Sequence, residues 1–197
     1  MTSKCFRISG VMLLLSVGAF GQFATVTAHI TEVVENTTPD GKVVAVHSRT
    51  GTYYRAANGS EVYRWTTSDG KPAFDGVLKD NTTGISYNLD FRNQTTHVAG
   101  KSRPTPPGLL RQDAVGNRPT DNVEGISCVV YTPKTNAGGS AKVCMSVEYF
   151  LKLWQDLKVP IKNGEMYHFV QRMSGIKLNA SINPDFFDPN TVFTAAQ

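Results

Sequence analysis

Ile85, Tyr87, Leu89 and Phe91 alternate with Ser86, Asn88, Asp90 and Arg92. A period of two marks a strand with one buried and one wet face, and such strands belong to antiparallel sheets. Related signals run along the chain, so that residues 24–100 read as a β-meander. Val43 to Ser48 form a short strand after the Pro39-Asp40-Gly41 turn. Asn58-Gly59 predicts a two-residue hairpin loop, because both central positions of the favoured turn need positive φ. That loop pairs Tyr54 with Tyr63 and Thr52 with Trp65 on one face. The other face carries Tyr53 opposite Arg64 and Arg55 opposite Val62. The expectation is that Tyr54, Tyr63 and Trp65 point inward and that Arg55 and Arg64 meet solvent. Asn93-Gln94 then turns the chain into a strand through Thr96 and Val98.

Residues 121–148 read as a second hairpin, with Gly138-Gly139 in its loop. Ile126 to Thr132 is rich in branched and aromatic residues, which fit a pleated surface. A loop centred on Asn136 sets Cys128 opposite Cys144, within reach of a disulfide. A one-residue slip would send the two cysteines to opposite faces. A Cys128–Cys144 bridge is the expectation, and two buried thiols are the alternative. No second cysteine or histidine stands at metal-ligand spacing nearby, and there is no Cys-x-x-Cys.

The remaining segments are less regular. Residues 100–121 contain Pro104, Pro106, Pro107 and Pro119 with Lys101, Arg103, Arg111 and Arg118. So long a stretch without period is a connector, a binding loop or a lid; the adjacent Leu109 and Leu110 favour a lid. Val147, Phe150, Leu151, Trp154 and Leu157 have helical spacing, while Val147, Tyr149, Leu151 and Leu153 alternate. The extended reading carries the strand to Trp154, with a turn at Gln155-Asp156 and a further strand from Lys158 to Lys162. Met166 to Met173 follows as a strand, and Ile176, Leu178 and Ala180 alternate again. The tail around Pro184, Phe186 and Phe187 reads as a turn with aromatic anchors, and Val192 and Phe193 dock the end.

The N-terminal segment stands apart. Lys4 and Arg7 precede an apolar run from Val11 to Phe20. Its length suits a signal peptide and is too short for a membrane-spanning helix. Residues 1–28 are therefore read as a signal peptide, with cleavage after Gly21 or after Ala28. Residues 29–197 are read as a single β-rich domain carrying the long basic, Pro-rich loop at 100–121. Without Lys4 and Arg7, 18 basic residues remain of 20 against 16 acidic ones, a formal net charge of +2 in place of +4. So small and scattered an excess argues against nucleic acid. No later apolar stretch is long enough for a transmembrane helix.

Val123-Glu124-Gly125-Ile126-Ser127-Cys128-Val129-Val130-Tyr131, Gly138-Gly139 and Asp156-Leu157-Lys158-Val159-Pro160-Ile161 follow one another in a layout seen in exported bacterial proteins. The closing Asn183-Pro184-Asp185-Phe186-Phe187-Asp188-Pro189 is similar to their closing turn. In these stretches the chain resembles the periplasmic lipoprotein-carrier (LolA-like) superfamily. The resemblance implies an all-β fold with minor helix: a strongly curved antiparallel sheet, or half-barrel, around an apolar cavity. It covers roughly the region from Val123 to Phe193 and speaks to fold before function. The long 100–121 segment departs from the family layout, and no functional residue carries over.

The sequence holds no Gly-x-Ser-x-Gly, no phosphate-cradling glycine loop and no His-Glu-x-x-His. Its histidines, His29, His47, His97 and His168, are dispersed. No catalytic residue, cofactor or metal is predicted, and the protein is read as no enzyme. Tyr54, Tyr63, Trp65, Tyr87, Phe91, Leu109, Leu110 and Trp154 are the candidate ligand-binding set, lining an apolar pocket or filling a core. The reading is an exported, periplasmic or extracellular binding protein. It would carry a lipid, another hydrophobic ligand or a lipidated envelope partner. The alternative is a structural or interaction protein of the cell envelope with a filled core and no small-molecule ligand.

Overall fold

The first strand of the sheet pairs with the last. In the computed structural model, which describes residues 22–67, 72–105, 116–135, 138–161 and 164–195, β1 (Val26–Thr37) lies between β2 (Val43–Arg55) and β11 (Met166–Leu178). From β2 the chain runs outward through β3 (Glu61–Thr66), β4 (Pro72–Asp80) and β5 (Ile85–Asp90) to the edge strand β6 (Thr95–Lys101). It restarts at the opposite edge with β7 (Thr120–Val123). It then returns inward through β8 (Ile126–Tyr131), β9 (Ser140–Ser146) and β10 (Lys152–Pro160) to β11. The order is β6-β5-β4-β3-β2-β1-β11-β10-β9-β8-β7, a curved, antiparallel, open sheet of eleven strands among the described residues. Two meanders thus meet at the β1–β11 pair, and their outer edges are joined by residues 102–119.

The Asn58-Gly59 hairpin departs from the expected register. Only Gly59 has positive φ (85°) there, and the Gly59 amide donates to the Ala56 carbonyl while Ala56 donates to Ser60. This is a three-residue loop with a glycine bulge rather than a two-residue loop. Register shifts by one: Tyr53 faces Tyr63, Arg55 faces Glu61 and Gly51 faces Trp65. A slip of one residue exchanges the faces of a strand. Tyr53 and Arg55 therefore turn inward and are almost fully buried, at 0% and 2% exposure, while Tyr54 turns outward.

The strand expected to run to Trp154 also ends early. β9 stops at Ser146, residues 147–149 turn, and Phe150 takes a φ of 51° before β10 begins. Gln155 and Asp156 lie inside β10 and form no turn. Both the 147–150 turn and β10 are rich in residues that also suit strands, so the alternation ran on through the reversal.

Cys128 and Cys144 are joined in a disulfide with Cα atoms 5.5 Å apart. They are diagonal rather than opposed: Cys128 pairs with Ser146 and Val130 with Cys144. The register differs from the expected one by two residues, which keeps both cysteines on one face.

Two apolar clusters form the core of the described residues. The larger includes Val26, Ile30, Tyr53, Tyr63, Trp65, Cys128, Cys144, Leu153 and Met173. The smaller joins Val62, Leu78 and Leu89 to Val192 and Phe193 of the short helix α1 (Val192–Ala195), with Tyr54, Tyr87, Phe91 and Phe187 packed around it. The C-terminal tail thus docks, as the sequence suggested, and the face it covers is the outer one. Tyr54 stacks on Phe186 at 5.0 Å and Phe91 meets Phe193 edge-on at 5.4 Å.

Candidate functional site on the inner face

Arg55 identifies the inner face. Its guanidinium reaches from β2, past β1 and β11, to the carbonyls of Tyr149 and Phe150, both at 3.0 Å. The same group donates twice to the Ala24 carbonyl, each at 3.1 Å. Bonds between strands so far apart in the sheet require that this side be concave.

Part of the concave side is tightly filled. Tyr53 and Tyr63 meet edge-on at 5.1 Å, and their hydroxyls donate to Glu61 at 2.8 and 3.3 Å. Burial, reinforced by the Glu61 charge, pushes both phenols well above the ordinary tyrosine range. Arg49 lies 3.7 Å over the Trp65 ring and binds Glu32 at 2.7 Å and Asp75 at 2.9 Å. Arg49 and Trp65 thereby close a polar band across the middle of the face, continued by Gln171 and Gln155.

Beyond that band the inner face is apolar and only partly covered. The pairing sets Val34, Phe169, Leu157 and Ala141 in one row across four strands. Tyr167 and Val159 follow in the next row, with Asn36 at its end. Apart from Ala141, each of these apolar side chains retains some solvent exposure. Gln171 Oε1 and Asn36 Oδ1 border the rows as buried acceptors without a hydrogen-bond partner. At the opposite end, a cleft of about 230 Å³ opens between β3–β6 and the β9–β10 turn, with Arg55, Glu61, Lys79 and Lys152 in its walls.

The structure separates the residues that the sequence grouped as a ligand face. Tyr63 and Trp65 are buried on the inner face, whereas Tyr54, Tyr87 and Phe91 lie beneath the tail on the outer one. Trp154 alternates with Gln155, packs against the same larger cluster as Tyr63 and Trp65, and donates its indole N–H to Asp121 at 2.9 Å. Leu109 and Leu110 fall outside the described residues. The residues that sequence reasoning passed over are Tyr53, Arg55, Phe169, Leu157 and Lys152. Leu157 and Val159 do alternate with Asp156 and Lys158, but the turn placed at Gln155-Asp156 concealed that signal. His168 sits between Glu35 at 3.3 Å and Asp156 at 3.1 Å. His47 pairs with Val34, on the face opposite the Glu35–His168 pair, and His97 lies on the edge strand.

No family model matches the sequence, and no curated protein matches it. Some solved structures align with most of its length at low identity. A DUF1329 family protein from Desulfovibrio piger is 12% identical, with 84% of this chain and 90% of that one covered and a TM-score of 0.40. A LolA superfamily protein from Nitrosomonas europaea is 9% identical, with 82% and 90% covered and a TM-score of 0.34. A putative outer membrane lipoprotein-sorting protein domain from Vibrio parahaemolyticus is 8% identical, with 86% and 91% covered and a TM-score of 0.39.

Proposed function

We propose that the chain is an exported, non-catalytic binding protein of the periplasm whose inner face takes a hydrophobic ligand. A lipid, or the acyl chain of a lipidated partner, fits this reading. The observation that carries it is the partly covered apolar surface made by Val34, Phe169, Leu157, Tyr167 and Val159 on the concave side. Burial there is worth about 0.8 kcal/mol per methylene, so an acyl chain gains more with each carbon laid along the rows. The unpartnered Gln171 and Asn36 oxygens offer acceptors to a ligand hydroxyl or amide. Export rests on the charged and apolar N-terminal segment. The non-catalytic reading rests on the separation of the histidines and on the outward position of the Glu35–His168–Asp156 group.

The filled half of the concavity favours a second reading, an interaction protein of the envelope without a small ligand. The edge strand β6, with Val98 70% exposed, offers such a protein a strand to pair with.

Native mass spectrometry of protein purified gently from its own envelope, followed by organic extraction, separates the two. A stoichiometric lipid-sized adduct is expected, with uptake of a fluorescent fatty acid weakened about tenfold or more by Phe169→Asp or Leu157→Asp. A bare mass with no uptake by the unmodified protein would overturn the ligand reading in favour of the second.

A further inference from the structure

The cleft at the Arg55 end of the inner face holds an excess of positive charge. Arg55, Lys79, Lys152 and Arg103 line it against Glu61 and Asp80. Both carboxylates are already occupied. Asp80 closes the turn after β4, accepting from the Thr82 amide at 2.8 Å and the Thr83 hydroxyl at 2.6 Å. Glu61 accepts from both buried phenols and, at 3.4 Å, from Lys79. Arg55 is held by backbone carbonyls.

Lys152 differs from Arg55 and Lys79. Its ammonium donates to the neutral amide oxygen of Gln155 at 3.0 Å. Among the described residues it forms no ion pair. Burial, followed by repulsion from Lys79, holds it below the ordinary lysine range against the weaker attraction of Glu61 and Glu32. An ammonium drawn out of water beside another cation gains from an anion placed between them. Ser86 and Ser102 in the same walls supply neutral donors, and charged donors paired with an oxyanion make the stronger hydrogen bonds.

We propose that this cleft binds an oxyanion, a phosphoryl or carboxylate group, with Lys152 and Lys79 as its direct cationic contacts. The site lies at the other end of the concavity from the Val34–Phe169–Leu157 row, and it stands whether or not that row takes a lipid. The oxyanion is either a free anion or the headgroup of an acidic lipid.

The test uses protein recovered in its processed form, with lysine Cε labelled for NMR. It is titrated with inorganic phosphate, with phosphatidylglycerol vesicles and with phosphatidylcholine vesicles. Saturable shifts of the Lys152 and Lys79 signals are expected with phosphate, and Lys152→Gln and Lys79→Gln should each weaken binding by about tenfold or more. Should Lys152→Gln lose cooperative unfolding, Lys79→Gln and the titration of the unmodified protein decide. Phosphatidylglycerol binding that phosphate displaces, and that both variants lose, assigns the anion to a lipid headgroup. Phosphate binding without vesicle binding assigns a free anion. Absence of saturable shifts with either probe, or equal affinity in the variants, overturns the proposal.

Discussion

Arg55 brings a formal charge into the interior at 2% exposure, and its direct partners are three backbone carbonyls. Arg55→Met keeps much of the stem and leaves those carbonyls without a donor. A buried group deprived of its partner costs about 1–3 kcal/mol, so the variant should lose roughly 3 kcal/mol or more. The urea midpoint reads this directly, and an unchanged midpoint would contradict it. Tyr53 and Tyr63 supply a second prediction. Both phenols keep their protons in the folded state at a pH where unfolded phenols, near 10, release theirs. The stability they confer is complete below that value and is lost progressively as pH rises above it towards the raised folded-state pKa, because the unfolded chain then binds fewer protons. Urea unfolding between about pH 8 and about pH 11 should show that fall, and replacing both tyrosines by phenylalanine should reduce it. An identical slope in the double variant would refute the assignment. Tyr63 was expected to face inward, whereas the burial of Tyr53 and Arg55 was not legible in the sequence. Asn58-Gly59 announced a turn, but one extra loop residue decided whether Tyr53 and Arg55 or Tyr54 faced the core, and both loops satisfy the same dipeptide.

At the scale of elements, the sequence foretold strands better than the turns between them. The alternation of β5 was plain, yet its apolar face packs beneath the tail on the outer side, where Leu89 meets Val192 and Phe193. Periodicity separates two faces without saying which is concave. The β9–β10 reversal was missed because Val147, Tyr149 and Leu151 alternate through it, and Phe150 takes positive φ without a glycine to mark it. The 8–9 hairpin was read correctly in its essential feature, since a two-residue change of register preserves the face of each cysteine. Its disulfide joins residues 16 apart. Closing a loop of that size restricts the unfolded chain by about 3 kcal/mol. The Cys128→Ala/Cys144→Ala double variant should lose a comparable amount, and reductant should lower the midpoint of the unmodified protein but not of the variant. A variant as stable as the parent would remove the bridge from the account.

For the whole molecule, the start of β1 bears on processing. Val26 and Ala28 are buried in the central strand, and the Ala24 carbonyl binds Arg55. Cleavage after Ala28 would remove all three; cleavage after Gly21 removes none. On the proposed export, N-terminal sequencing of the processed protein should therefore begin at Gln22, and a start at His29 would contradict this. The same strand has a consequence for the order of assembly. β2 follows β1 directly and covers one of its edges, but the other edge is covered only by β11, whose residues emerge more than a hundred positions later. While the intervening chain is made, twelve residues of β1 present an uncovered row of backbone donors and acceptors. The first half can form its meander locally, yet the sheet is joined only when the final strand arrives. A nascent chain of this topology is most open to strand-to-strand association in that interval, and the contact that ends it is among the most distant in sequence, which makes for slow folding.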